Sequence, residues 1–106
     1  MNRIFEININ YFNALNNPHA RLSDVDREVD RFVLSQAIAL SLMGLPAIYI
    51  HSLLGSRNWN EGVEQTGRAR AINREKLDLD QLREELANPQ TLRAKVFGRL
   101  SRLIEI

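Results

Sequence analysis

The sequence predicts a mostly helical α/β chain with one or two short strands, and three observations carry that expectation. Apolar residues recur at helical spacing from Val25 to Leu40. A Gly44-Leu45-Pro46 break is followed at once by the apolar run 47–54, rich in β-formers. Two further amphipathic stretches close the chain, over 78–87 and 90–104. With 106 residues the whole chain is expected to be a single segment, because compact domains run to about 100–200 residues.

Taken in order, Phe5, Ile7, Ile9 and Tyr11 alternate with polar positions, which predicts a half-buried strand over 4–11. Asn13, Asn16, Asn17 and Pro18 then gather turn formers, so a loop is expected over 13–22. Ser23 or Asp24 can cap a helix over 25–43, with Val25, Val29, Phe32, Val33, Ala37 and Leu40 on one face and Asp26, Arg27, Asp30 and Arg31 opposite. Its last turns, Ala37 to Met43, have no polar face and are expected to be buried nearly all round. Gly44 is expected as a left-handed cap, and Pro46 prevents continuation. The run 47–54 is too short for a good helix and reads as a strand buried on both faces. A polar, glycine-punctuated stretch over 55–73 holds the sole tryptophan, Trp59, and reads as a loop. Loops beyond about 12–15 residues in compact domains are commonly functional. The last two helices take Leu79, Leu82 and Leu86 after Asp78, and Leu92, Val96, Leu100 and Leu103 after a Pro89 first turn.

Composition narrows the function classes. Hydrophobic residues at 44% and charged residues at 25% are ordinary for a folded soluble chain. A formal charge of +1 argues against nucleic-acid or acidic-membrane binding by bulk electrostatics. The absence of Cys removes disulfides, thiol chemistry and Cys-ligated zinc, and permits a reducing compartment. Two His cannot build a His-rich metal site, so neither metal nor cofactor is expected. Neither a secretory leader nor a membrane span is expected, since polar residues interrupt every apolar run.

Arg68, Arg70 and Arg74 place three guanidinium groups close together in a Gly-containing stretch, and Arg forks suit phosphate or carboxylate. The plainer account is a solvated loop pairing with Glu61, Glu64 or Glu75. His51, in the apolar run, is either a neutral buried imidazole or a ligand contact. Trp59 with Tyr49 is either a stacking surface or a packing anchor. The acidic cluster Asp24, Asp26, Glu28 and Asp30 suits the start of a helix, and Glu84 and Glu85 read as surface charges. Neither a paired acid and base nor a nucleophile elbow or phosphate loop emerges.

Three stretches in one order carry a resemblance: 10–15 (Asn-Tyr-Phe-Asn-Ala-Leu), 44–50 (Gly-Leu-Pro-Ala-Ile-Tyr-Ile) and 67–74 (Gly-Arg-Ala-Arg-Ala-Ile-Asn-Arg). In this order they resemble the sucrose phosphorylase group of sugar phosphorylases, in the α-amylase superfamily. Residues 53–59 look most like the branch that contains the glucosylglycerate phosphorylases. The resemblance covers nearly the whole chain and implies the closing portion of a (β/α)8 barrel. In that frame the helix 25–43 corresponds to the seventh barrel helix, the run 47–54 to the eighth strand, and 55–73 to an active-site loop. A full barrel takes about 250 residues, so the resemblance implies a fragment. It also implies retention by double displacement, with an Asp nucleophile, a Glu acid and base, and phosphate as acceptor. A stabilising His-Asp pair of the family is absent here, since His19 precedes Ala20 and His51 precedes Ser52. No catalytic residue is therefore carried over. Arg70 aligns with a phosphate-holding arginine, Arg68 and Arg74 are supporting candidates, Arg74 with a structural role as the alternative, and His51 and Trp59 are candidate sugar-side contacts.

The resemblance implies sugar and inorganic phosphate as the parent enzyme's substrates, a cytoplasmic setting, and a chain inactive alone. A fragment is also expected to associate with itself through apolar surface left uncovered, with 4–11 or 47–54 pairing between chains. Two other readings stand beside it. One is a freestanding helical interaction module, which has little use for a doubly buried strand over 47–54. The other is a small phosphate or nucleotide binder built on Arg68, Arg70 and Arg74, which requires anion affinity in the isolated chain.

Overall fold

The computed structural model describes residues 7–17 and 24–105. Its elements are six α-helices and one 3-10 turn: α1 (Tyr11–Leu15), α2 (Val25–Ser41), α3 (Ile50–Leu53), α4 (Asn60–Thr66), the 3-10 turn Ala69–Asn73, α5 (Leu79–Ala87) and α6 (Leu92–Glu105). Local chemistry sets the starts of these helices. The Asn10 side chain accepts from the Phe12 N–H, that of Asp24 from Asp26, and that of Asp78 from Gln81, so orphan donors of each first turn are satisfied. Before α6 the Thr91 hydroxyl accepts from the Ala94 N–H at 3.2 Å. Pro89 therefore lies in the turn ahead of the helix, not inside its first turn as the spacing suggested.

α2 and α6 form the spine. Phe12, Val29, Phe32, Val96 and Leu100 are the buried core, with Leu15, Val25, Val33, Leu53, Leu92 and Leu103 packed around it. The Phe12 and Phe32 rings meet at 5.4 Å between centroids and Tyr11 meets Phe32 edge-on at 5.9 Å, both favourable aromatic geometries. Two ion pairs cross the spine in step: Lys95 with Asp26 at 2.7 Å and, one turn on, Arg99 with Asp30. Because 26 and 30 ascend together with 95 and 99, the two helices run parallel. Parallel neighbours need a long return connection, and here residues 42–91 supply it.

Both expected strands are corrected. Residues 4–6 of the first lie outside the described residues; Ile7 to Asn10 join no ladder, and Tyr11 already begins α1. In the second, 47–49 are unpaired and Ile50–Leu53 close into one helical turn. The expected burial on both faces fails as well, since Tyr49 and Ile50 are half exposed while His51 and Leu54 are buried. The reason is physical: a parallel strand is held by neighbouring strands, and among the described residues none exists. The loop expected over 55–73 contains α4 and the 3-10 turn. α2 stops at Ser41, and Leu42 is its extended C-cap residue. Gly44 has φ +132°, outside the left-handed helical cap geometry. The expected burial of 37–43 is overturned too, since Ile38, Leu42 and Met43 face solvent. Among the described residues no helix is long and apolar enough to cross a membrane.

Candidate functional site

Residues 54–59 join α3 to α4, and together with His51 of α3 their polar groups are tied down from three sides. Gly55 turns the chain at φ +62° with its Cα hard against α6, where a Cβ would lie 2.9 Å from Val96 Cγ2. This close approach lets Arg93 of α6 reach back across the turn. Its guanidinium donates to the Leu54 carbonyl at 3.1 Å and to Ser56 Oγ at 2.9 Å. It also holds two carboxylates, Glu75 Oε2 at 3.2 Å and Glu85 Oε2 at 2.6 Å. Ser56 Oγ in turn lies 2.9 Å from His51 Nδ1. The hydroxyl accepts from Arg93 and keeps its own proton to give to Nδ1, an arrangement that favours the Nε2–H tautomer. Burial pushes the His51 pKa down; Glu75 opposes that shift and Arg93 reinforces it. His51 is thus a neutral, hydrogen-bonded imidazole.

A cleft of about 410 Å3 opens beside this network, lined by Gly55, Arg57, Asn58, Trp59, Glu75, Glu85, Thr91, Leu92 and Arg93. The Trp59 indole lies over Gly62, where an added Cβ would come within 2.0 Å of Cε3. A glycine at 62 is therefore what seats the ring. The backbone N–H of Trp59 donates to the Ile72 carbonyl at 2.7 Å, fastening the start of α4 to the 3-10 turn. Arg57 donates to Glu28 at 3.0 Å and stacks over Phe12 at 5.0 Å from its centroid, so the cleft is anchored on the core. Asn58 joins the same anchoring, its backbone N–H donating to Asn13 Oδ1 at 2.6 Å and its side chain accepting from the Asn10 N–H at 2.7 Å.

The four residues singled out from the sequence fall in different places. Trp59 lines the cleft and His51 lies in the polar network beneath it. Arg68 and Arg70 are exposed, at the start of the 3-10 turn and within it, and do not line this cleft. Tyr49 connects the two regions: its hydroxyl donates to the Asn73 carbonyl at 2.9 Å and its ring meets His51 at 5.5 Å. The residue the sequence reading passed over is Arg93. Its signal was present, since a cation in the first turn of a helix opposes the macrodipole and calls for a local counter-charge. Glu75 and Glu85 face one cleft, yet both are engaged by the same guanidinium, which makes them an ion-pair triad and not an acid and base flanking a substrate. Among the described residues no three acidic or His side chains come together to hold a metal ion.

Comparison with known proteins adds what the geometry alone does not. The chain is 50% identical over 93 residues to a glucosylglycerate phosphorylase of Spirochaeta thermophila, a match spanning 88% of this chain and 15% of that protein. It is 47% identical over 102 residues to the Escherichia coli glucosylglycerate phosphorylase, and 37% identical over 102 residues to that of Allomeiothermus silvanus. Each of these two matches spans 96% of this chain and 18% of the relative. No family model and no solved structure matches the chain.

Proposed function

We propose that this chain, similar almost end to end to a stretch of glucosylglycerate phosphorylases, is one part of a retaining sugar phosphorylase. The complete enzyme moves a glucosyl group from a glucoside, such as glucosylglycerate or sucrose, to inorganic phosphate. The observation that carries the reading is identity of 37–50% spread over 88–96% of these residues, set against the 15–18% of each relative's length that the chain spans. The parallel course of α2 and α6 supports it, because successive helices of a (β/α)8 barrel all run the same way. In this reading the chain closes such a barrel, works in the cytoplasm, and is inactive by itself.

Within the complete site Arg70, with Arg68 beside it, holds the incoming phosphate. Both are exposed residues on the connection between α4 and α5, and a guanidinium fork supplies both charge and orientation to a dianion. Trp59 is the sugar-side contact in this reading, which its position lining the cleft supports. His51, buried and bonded to Ser56, shapes that side from beneath. A helical interaction module is the second reading, favoured by the lack of a strand among the described residues. It leaves the parallel helix pair and the similarity to phosphorylases without a reason.

The test offers glucosylglycerate or sucrose with phosphate and measures glucose 1-phosphate. The 106-residue chain is expected to be silent. A chimaera in which it replaces the matching part of the Spirochaeta thermophila relative is expected to turn over. In that chimaera Arg70→Ala should raise the KM for phosphate roughly tenfold to a hundredfold, as expected for loss of a charge-assisted hydrogen bond. Turnover by the isolated chain would overturn the reading, and an unchanged phosphate KM would remove Arg70 from the site.

A further inference from the structure

Residues 57–74 form an excursion between α3 and α5. Within it α4 and the 3-10 turn pack chiefly on each other, and Gly67, at φ +68°, closes α4 by donating its N–H to the Val63 carbonyl at 2.8 Å. The excursion is therefore a small unit of its own, and its orientation depends on how its two ends are fastened. At the entry Arg57 donates to Glu28 and the Asn58 N–H to Asn13. At the exit the Tyr49 hydroxyl donates to the Asn73 carbonyl. Arg93 takes both ends at once: Leu54 and Ser56 just before the excursion, and Glu75 just after it. Its bond to Glu85 fixes the same guanidinium against α5.

An arginine suits this task as a lysine does not. The four acceptors belong to three separate segments, and a planar fork with five donors can meet them all, whereas an ammonium offers three donors from one point. The side chain is only 14% exposed, so its ion pairs are little screened by solvent. Helix stability does not account for the residue, because a cation in the first turn of α6 opposes the macrodipole. We propose that Arg93 is a positioning residue for phosphate: by clamping residues 54–56 to Glu75 it sets the orientation of the excursion that carries Arg68 and Arg70. A guanidinium grips a dianion in one geometry only when the backbone beneath it is held. The phosphate in this inference rests on the phosphorylase reading, whereas the clamp does not.

The two parts are tested separately. Trp59 is the sole tryptophan of the chain and lies in the excursion, so its fluorescence reports the clamp in the 106-residue chain without any substrate. Acrylamide, a neutral quencher insensitive to the change in charge, should quench Trp59 about twofold more strongly in Arg93→Lys and in Glu75→Gln than in the wild type, with circular dichroism unchanged. Arg99→Lys, on the same helix but paired with Asp30, should quench like the wild type. In the chimaera with the Spirochaeta thermophila relative, Arg93→Lys should raise the phosphate KM about tenfold and add nothing further to the effect of Arg70→Ala. A residue that only stabilised the fold would lower the amount of active enzyme, and so the apparent kcat, and leave that KM where it was. Wild-type quenching in both Arg93→Lys and Glu75→Gln would overturn the clamp. An unchanged phosphate KM, or a rise that adds in full to that of Arg70→Ala, would overturn the positioning role. Silence of the chimaera before any substitution would instead overturn the phosphorylase reading, and the quenching would still decide the clamp.

Discussion

Arg93 shows how one side chain organises a neighbourhood. Its guanidinium gathers the Leu54 carbonyl, Ser56, Glu75 and Glu85 from three separate segments. His51 reports on the quality of that arrangement, because it stays neutral only while buried against Ser56. Its depressed pKa means that below its ordinary value of 6.5 the unfolded chain takes up a proton that the folded chain refuses. The His51 contribution to stability is therefore complete above that value. It declines as pH falls through it, and levels off below the folded-state pKa. Urea melts at successive pH values should show this decline in the wild-type chain and a shallower one in His51→Gln; identical slopes would refute the neutral, buried imidazole. His51 as a buried imidazole was legible in the sequence because it sits in an apolar run. The tie from Ser56 to Arg93 was not, since 37 residues separate the two and no local pattern spans such a distance.

Among the elements, α2 was the most legible, because an Asp24 cap and a 3.6-residue apolar period agree with each other. α5 and α6 were legible for the same reason. The run 47–54 was misleading. Apolar and β-branched content measures fitness for a sheet, and without neighbouring strands the same residues close into a helical turn at Ile50–Leu53. The stretch over 55–73 was misread in the opposite direction, since its polarity concealed a helix whose Gly62 is needed to seat Trp59. A contrast along α2 tests the division of its faces. At a concentration where the chain is monomeric, Phe32→Ala should cost about 3–5 kcal/mol and Leu34→Ala less than about 0.5 kcal/mol. Comparable losses at the two positions would mean that the outward face is already covered in the single chain.

For the molecule as a whole, the quantity that matters is how little it buries. Among the described residues five form the enclosed core cluster, and the radius of gyration of 14.8 Å exceeds the about 13 Å expected of a compact domain of this length. Such a chain gains disproportionately from any partner that binds only its folded form. The sequence by itself determined the three long helices, the charge balance and the resemblance to sugar phosphorylases, because capping, periodicity and short motifs are all written within a few residues of one another. Tertiary structure alone decided that α2 and α6 run parallel, that Arg93 unites Glu75, Glu85 and Ser56, and that residues 47–54 form no strand. Each of these depends on which distant segments meet, and a strand in particular is a property of the neighbours that pair with it.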